Sequence, residues 1–147
     1  MRLSTRSRYG LSALLDIASQ AGDKPVLLKD IARRQEIPAQ YLHQLVSPLI
    51  KAGILRSVRG AHGGVSLAKP PQEIDLESVI RILEGSIAPV KCVDDPKSCA
   101  RSDFCVTREV WTEVNEAMTG VLESITLQDL VLRQREKDQL KTAMYYI

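Results

Sequence analysis

The sequence predicts a mainly α-helical protein with one small β-hairpin. Most of the 147 residues fall in segments whose apolar side chains recur every three or four positions, which is the spacing of one helix face. One stretch, VRGAHGGVSLAK at residues 58–69, instead places three glycines beside alternating apolar residues, as in a tight hairpin. Aromatic residues make up 4% of the chain and apolar residues 44%, so we expect an aliphatic core.

The first half of the chain contains three predicted helices. Residues 5–20 form the first, with the Ser4–Thr5 pair available as its N-cap. Residues 28–35 form a short second helix, and residues 39–52 form the third. Pro48 lies inside the third helix, where its missing backbone donor predicts a kink or an early end near residue 47.

The third predicted helix has an unusual outer face. Its apolar side carries Leu42, Leu45, Val46, Leu49 and Ile50. Its other side carries Gln40, His43, Gln44, Ser47 and Lys51. Solvated helix faces are usually rich in Glu and Lys, whereas amides and hydroxyls are the groups that hydrogen-bond base edges in the major groove. We therefore assign this face to DNA contact.

The hairpin follows this helix directly. Residues 54–60 and 64–68 predict two strands, with Arg56 and Arg59 on the first arm and His62 at the tip. Two short helices, a tight turn and a basic hairpin make a winged helix-turn-helix. Glycines let such a wing approach a duplex closely, so we assign Arg59 to the minor groove and Arg56 to phosphate. His62 is a phosphate donor or a turn residue, and a solvated hairpin with incidental charge is the alternative.

Charge is divided between the two halves of the chain. Residues 1–72 contain 11 Lys/Arg against 4 Asp/Glu, whereas residues 73–147 contain 9 against 14. A basic half suits a polyanionic partner, and chance clustering of solvated charges is the alternative.

The second half contains three more predicted helices. Residues 75–84 form one, with Asp75 as its N-cap. Residues 106–120 form a long helix. Residues 126–138 form the last, where Thr126 and Asp129 have the spacing of a capping box. The final KTAMYYI segment carries no clear pattern.

The long helix carries a coiled-coil-like apolar stripe. Its residues are Val106, Val110, Val114, Met118, Val121 and Ile125, with Trp111 beside them. Two such helices can pair and fix the spacing of two recognition helices. We assign to a dimer interface Val110, Trp111, Val114, Met118 and Val121. Core packing within one chain is the alternative.

Three cysteines, Cys92, Cys99 and Cys105, form the pattern C-x6-C-x5-C. An odd number does not suit a secreted disulfide framework, whereas thiolates are soft ligands for iron–sulfur clusters and zinc. A cluster usually takes four protein ligands, so one place is left to fill. The candidates are Asp103, Glu109, a partner-subunit residue or an external thiol. A zinc site, thiol redox sensing and idle cysteines are the alternatives to a cluster.

Three segments resemble the family of IscR-type iron–sulfur cluster regulators: MRLSTRSRYGLSALLDIA, IARRQEIPAQYLHQLVSPLIKAGILRSVRGAHGGVSL and ITLQDLV. The resemblance extends from residue 1 to about residue 132, and its most specific parts are MRL, the YL of the third helix and the SVRG–GG wing. It adds Tyr41 to the DNA-facing residues. It implies a homodimer that binds double-stranded, pseudo-palindromic promoter DNA and regulates genes such as those for cluster assembly. It also implies that the three cysteines hold a [2Fe–2S] cluster, with [4Fe–4S] as the alternative, and that cluster state modulates DNA binding, most simply as a repressor.

The chain departs from that family's pattern at several positions. His43 stands where members often carry a glutamate that helps select the DNA site, and Arg108 stands where a histidine often follows the last cysteine. The first cysteine interval is one residue longer than in the IscR type. Some relatives use a carboxylate in the first helix as a cluster ligand, and the corresponding position here is Arg8. The change at His43 bears on which DNA sequence is recognised. The other departures bear on which group is the fourth cluster ligand.

Other function classes fit the sequence less well. No apolar run approaches the roughly 20 residues of a membrane span, and polar residues interrupt any secretory signal, so we expect a cytoplasmic protein without a membrane partner. The two histidines lie in the DNA-reading half, and neither a phosphate loop nor HExxH is present, so we do not expect an enzyme. The remaining alternatives are a nitric-oxide or iron-responsive regulator of the same fold and, more remotely, a small electron-transfer iron–sulfur protein.

The expected organisation has four parts. Residues 1–72 form the DNA-binding domain, and residues 73–88 form a connecting helix. Residues 89–105 form the cysteine-bearing, cluster-binding loop, and residues 106–147 form the dimerisation helix and the C-terminal helix.

Overall fold

The computed structural model describes residues 2–20, 22 and 24–146. Met1 of the MRL motif and the final Ile147 therefore lie outside the described residues. The α-helices and strands are α1 (Thr5–Ser19), α2 (Leu28–Gln35), α3 (Ala39–Lys51), β1 (Leu55–Val58), β2 (Gly64–Leu67), α4 (Leu76–Glu84), α5 (Lys91–Asp94), α6 (Val106–Glu123) and α7 (Leu127–Tyr145). Short 3₁₀ turns occupy Pro71–Glu73, Pro96–Ser98 and Ser102–Phe104. The predicted fold class, mainly helical with one small hairpin, is confirmed.

Local capping signals start the helices where the sequence predicts. Ser4 caps α1, and the Asp75 side chain accepts a 2.8 Å hydrogen bond from the amide of Ser78 at the start of α4. Thr126 and Asp129 form the capping box of α7, with reciprocal side chain to backbone bonds of 3.2 and 2.9 Å. Each cap satisfies backbone donors that the first helical turn leaves free.

The core lies between α1 and the elements that surround it. α1 contacts α2, α3, α4, α7 and β2, so it is the central helix of the core. The fully buried large side chains include Leu14, Ile31, Leu42, Leu45, Leu49, Ile74, Val79 and Leu127. Every buried hydrophobic residue in the described part of the chain is aliphatic, as the composition predicts. Burial of this kind contributes about 1.5–3 kcal/mol per large side chain, and it fixes which face of each helix points outward.

Two predicted helix ends are wrong, for different reasons. α3 does not end early at Pro48 but continues to Lys51. The only bond that proline removes would go to the carbonyl of Gln44, which lies on the solvent side where water can replace it. α7 continues beyond residue 138 to Tyr145. Its distal half is exposed, so it carries no core-facing stripe by which a sequence pattern could detect it.

The segment between α4 and α6 contains more regular structure than the predicted loop. It contains α5 and two of the 3₁₀ turns, and only Ser102 is buried between residues 89 and 105. The Ser102 hydroxyl donates to the carbonyl oxygens of Pro96 and Cys99 at 2.6 and 2.8 Å. Polar contacts rather than apolar burial therefore hold this segment. None of the described helices combines the length and apolarity needed to cross a membrane.

Candidate nucleic-acid interface and cysteine loop

The outer face of α3 is the centre of the candidate DNA interface. Leu42, Leu45, Val46 and Leu49 are buried and hold the helix on the core. The predicted contact residues Gln40, His43, Gln44, Ser47 and Lys51 are all exposed. Because the buried stripe fixes the rotation of α3, these amide, hydroxyl and imidazole groups form one continuous polar surface.

Tyr41 differs from the other predicted contacts because it is half-buried against α1. Its hydroxyl lies 2.9 Å from the Thr5 hydroxyl, and its ring meets the Tyr9 ring edge-on, with centroids 6.0 Å apart. The Arg8 guanidinium lies 5.6 Å from the centre of the Tyr9 ring. Arg8 therefore lies next to Tyr9, the α1 residue whose ring packs on Tyr41 of α3. Sequence reasoning missed this neighbour, although the arginine density of the first eight residues was a usable signal.

The hairpin places its basic residues at two levels. β1 and β2 pair antiparallel, with Arg56 opposite Ser66 and Val58 opposite Gly64. The Arg56 side chain donates a 2.9 Å hydrogen bond to the Ser66 hydroxyl, which restrains it along the hairpin. Arg59 and His62 lie exposed in the turn, where nothing on the hairpin holds them. The tip therefore offers two side chains to a partner, and the strand offers one that is already oriented.

A third strand segment anchors this wing. Val26 forms a β-bridge with Val65, with backbone hydrogen bonds of 2.8 and 2.9 Å in the two directions. Gly64 permits the approach because its φ is +145° and a Cβ there would lie 2.3 Å from the carbonyl oxygen of Val26. The same contact brings Lys24 to a depression of about 410 Å³ beside His62. Lys24 is a second basic neighbour that the sequence pattern did not single out.

The three cysteines lie on or beside three different elements. Cys92 is on α5, Cys99 follows the first 3₁₀ turn of the segment, and Cys105 is the N-cap of α6. All three are free thiols; Cys99 is exposed and the other two are half-buried. Across residues 2–20, 22 and 24–146, no three His, Cys, Asp or Glu side chains lie close enough to hold a metal ion. Three thiols are suitable ligands for an iron–sulfur cluster. To hold one, the three cysteines would have to move closer together through a rearrangement of residues 89–105.

Cys105 has the environment of a good ligand. The hydrogen bond from the Thr107 hydroxyl at 3.2 Å, and then the backbone N–H of Arg108, lower the pKa of the Cys105 thiol below its ordinary value. The thiolate is the form that binds metal, so this residue is prepared for coordination.

Arg108, at the position of the family histidine, has a different role here. Its Nε donates a 2.9 Å hydrogen bond to the carbonyl oxygen of Cys92, and its side chain is half-buried. Arg108 therefore links α5, which carries Cys92, to α6, which begins directly after Cys105. The two carboxylates considered as fourth ligands, Asp103 and Glu109, are both exposed.

The apolar stripe of α6 is only partly covered by its own chain. Half-buried residues on the inner side are Arg108, Thr112, Asn115, Thr119 and Leu122. Val110 is 51% exposed, Val121 59% and Trp111 37%, while Val114 and Met118 are half-buried at the edge of the stripe. No residue of α6 is fully buried, so packing within the chain leaves much of the stripe exposed.

Comparison with known proteins agrees with this architecture. The sequence profile of the Rrf2 family, described as an iron-dependent transcriptional regulator, matches residues 3–133. Protein rrf2 of Nitratidesulfovibrio vulgaris is 45% identical over 131 residues, which cover 89% of this chain and 87% of that protein. The structure of CymR, the global cysteine regulator of B. subtilis, has a TM-score of 0.76 and 39% identity, and the match covers 90% of this chain and 98% of that one. The structure of T. potens IscR has a TM-score of 0.76 and 41% identity, and the match covers 95% and 91%.

These matches confirm three of the sequence-based expectations. The resemblance to IscR-type regulators is real, and the fold is that of Rrf2 winged-helix regulators. The matched relatives include named transcriptional regulators, so the expectation that the chain is not an enzyme is also confirmed.

Proposed function

Because this chain belongs to the Rrf2 family of iron-dependent transcriptional regulators, we propose that it is a cluster-sensing repressor that binds pseudo-palindromic promoter DNA as a homodimer in the cytoplasm. The observation that carries the proposal is the exposed amide and hydroxyl face of α3 beside an anchored basic wing. Its DNA-binding domain is residues 1–72, followed by the connecting helix 73–88, the cluster-binding loop 89–105 and the helices of 106–147.

The DNA contacts divide into base readers and phosphate contacts. Gln40, His43, Gln44 and Ser47 are exposed on α3, in the position of groups that read base edges in the major groove. Lys51, Arg56 and His62 bind phosphates, and Arg59 enters the minor groove. Tyr41 contacts DNA with the edge of its half-buried ring and is positioned by α1.

Dimerisation is supported by the outward apolar stripe of α6. Val110, Trp111, Val114, Met118 and Val121 would pack against the same residues of a second chain. A two-fold dimer sets two recognition helices one helical turn of DNA apart, about 34–36 Å, which is why a pseudo-palindromic site is expected.

Cys92, Cys99 and Cys105 would hold the cluster, as [2Fe–2S] or alternatively [4Fe–4S]. When bound, the cluster supplies a group whose loss or oxidation reports iron and oxygen status. Support comes from the soft donor set and the lowered pKa of Cys105. Within the chain, Arg108 holds the Cys92 backbone beside α6, the helix that begins after Cys105. Cluster-assembly genes are the proposed targets, by similarity to the IscR relatives.

The first experiment selects duplexes from a random pool with the wild-type protein and measures their affinity by fluorescence anisotropy. We expect two half-sites about one helical turn apart and an affinity that falls steeply with salt. Arg59→Ala should weaken binding roughly 10- to 100-fold, from the loss of about 1–3 kcal/mol. Arg135→Ala, exposed on the distal part of α7, is the control. Failure to enrich any sequence refutes DNA readout, and equal affinities of the two variants refute the wing assignment.

The second experiment measures iron and acid-labile sulfide after purification without oxygen. About two of each per chain identify a [2Fe–2S] cluster and about four identify [4Fe–4S]. Cys99→Ala should abolish the visible absorbance while Ser98→Ala retains it. Absence of iron from the wild-type protein refutes cluster sensing.

A cluster-free, thiol-responsive regulator is the second candidate function. Two observations favour it: the three thiols do not converge among the described residues, and CymR, a cysteine regulator, is among the similar structures. It predicts no iron, together with a DNA affinity that changes when exposed Cys99 is oxidised.

A further inference from the structure

Glu84, the last residue of α4, accepts several hydrogen bonds from the start of α1 at one carboxylate oxygen. Its Oε1 accepts hydrogen bonds from the Ser4 amide at 2.8 Å, the Ser4 hydroxyl at 2.6 Å and the Ser7 hydroxyl at 2.6 Å. Ser7 is only 1% exposed, whereas Ser4 and Glu84 are half-buried, so the contact lies at the edge of the core. Burial acts to raise the pKa of Glu84, but the bonds from Ser4 and Ser7 outweigh it and hold the pKa below its ordinary value. The carboxylate is therefore ionised and strongly bound to α1.

The same turn of α1 touches the recognition helix. Thr5, between the two serines, lies 2.9 Å from the Tyr41 hydroxyl of α3. One turn later, Tyr9 meets the Tyr41 ring edge-on. The first turn of α1 thus contacts both groups: Glu84 bonds the Ser4 amide and the Ser4 and Ser7 hydroxyls, and Tyr41 meets the side chain of Thr5.

On its other side, Glu84 is joined to the cysteine loop. The chain reverses at Gly85, and the Ser86 hydroxyl then donates to the carboxylate of Asp94 on α5. Cys92 lies on that same α5, whose backbone Arg108 also holds. Only Gly85 separates Glu84 from Ser86, whose side chain fixes the element that carries the first cysteine.

We propose that Glu84 is a positioning residue that couples the cysteine loop to the DNA-reading helix through the first turn of α1. A rearrangement of residues 86–105 pulls on the end of α4, and the Glu84 hydrogen bonds carry the displacement to Ser4, Ser7 and then Tyr41. The DNA part of this inference rests on the proposed function, whereas the structural coupling does not. Coupling of this kind is reciprocal, so DNA binding would equally bias the loop.

A double-mutant cycle tests the coupling in DNA affinity. On the duplex selected by the wild-type protein, Glu84→Gln should weaken binding about tenfold. In the Tyr41→Phe background the same change should weaken it less than about threefold, because the path to α3 is already cut. Glu77→Gln, on the same helix but paired with Arg81, is the matched control and should have no effect. Equal effects of Glu84→Gln in both backgrounds would overturn the inference.

Hydrogen–deuterium exchange tests the same coupling without DNA, on the full chain. Glu84→Gln should speed exchange at least about fivefold in both the first turn of α1 and residues 39–47, beyond the uniform increase that follows from its lower global stability. Asp94→Ala, which frees Ser86, should act likewise in the wild-type background and not in the Glu84→Gln background, and Glu113→Ala, at an exposed position of α6, is its control. Faster exchange confined to α1 refutes the relay.

The DNA-affinity cycle and the hydrogen-exchange experiment together distinguish failure of the proposed function from failure of the Glu84 relay. If no duplex is selected but exchange spreads to α3, the proposed function fails and the relay stands. If DNA is bound but the cycle is additive and α3 exchange is unchanged, the relay fails alone. Should Glu84→Gln not fold, Ser7→Ala removes one of the three bonds, leaves the Ser4 cap of α1 in place, and replaces Glu84→Gln in both arms.

Discussion

The anchoring of the wing makes a sharp prediction for Gly64→Ala. A Cβ at this position would lie 2.3 Å from the Val26 carbonyl oxygen and 2.6 Å from its carbon, and both belong to the backbone. The new methyl group must therefore push the Val26 segment off β2 and break the two hydrogen bonds of the bridge. In addition, the positive φ of +145° is unfavourable for any residue with a Cβ.

The cost can be worked out from these parts. Two backbone hydrogen bonds contribute about 0.5–1.5 kcal/mol each, and the backbone strain adds about 1–2 kcal/mol. The free energy of unfolding should fall by roughly 2–5 kcal/mol, which lowers the Tm by roughly 4–20 °C for a chain of this size. Gly60→Ala is the matched control, because Gly60 also has a positive φ, +111°, but nothing lies within 4 Å of its Cβ position.

The assay is calorimetric unfolding of both variants at one fixed protein concentration, followed by DNA affinity. Gly60→Ala should lose only the strain term, about 1–2 kcal/mol. Gly64→Ala should lose at least about 1 kcal/mol more and should also bind the selected duplex more weakly, because its wing is released. Equal stability of the two variants would refute the view that the Val26 bridge anchors the wing.

Three further predictions concern other parts of the chain. Asp16→Ala removes a buried carboxylate that accepts from Arg34 at 2.9 and 2.6 Å, and because Arg34 is one-third exposed we expect a moderate loss of about 2–3 kcal/mol in urea unfolding. Because folding lowers the pKa of Glu84, its ionised carboxylate stabilises the fold above the unfolded-state pKa of about 4.3, and this stabilisation is lost as the pH falls through the lower folded-state pKa. The difference in free energy of unfolding between the wild type and Glu84→Gln should therefore narrow below about pH 4.5, and a constant difference would contradict this. Val110→Glu should raise the dimer dissociation constant at least about 100-fold in analytical ultracentrifugation, whereas exposed Glu116→Gln should not; an unchanged dimer would move the interface elsewhere.

Features that depend on neighbouring residues were predictable from the sequence. The Asp75 cap, the Thr126–Asp129 box and the buried stripe of α3 each have a short-range signature, and the structure contains all of them. The exposed face of α3 follows from the buried one, so its polar residues could be selected before the fold was known.

Features that depend on distant residues were not predictable in this way. The contacts of Glu84 with Ser4, of Tyr41 with Thr5 and of Val26 with Val65 join parts of the chain that only the tertiary fold brings together. The distal half of α7 was missed for the opposite reason, because an exposed helix needs no apolar pattern. The hydrogen bond from Arg108 to Cys92 likewise gives that arginine a role that its charge alone did not suggest.

The outward stripe of α6 has a consequence for the fate of the newly made chain. A single folded chain presents Val106, Val110 and Val121 to solvent, and adhesive surfaces of this kind invite aggregation and capture by proteases and chaperones. A second copy that covers the stripe protects both chains, and this protection depends on concentration. When synthesis slows, the concentration falls and a larger fraction of the chains is monomeric, so each remaining chain is degraded faster. Promoters that the regulator occupies would then be released soon after its production stops.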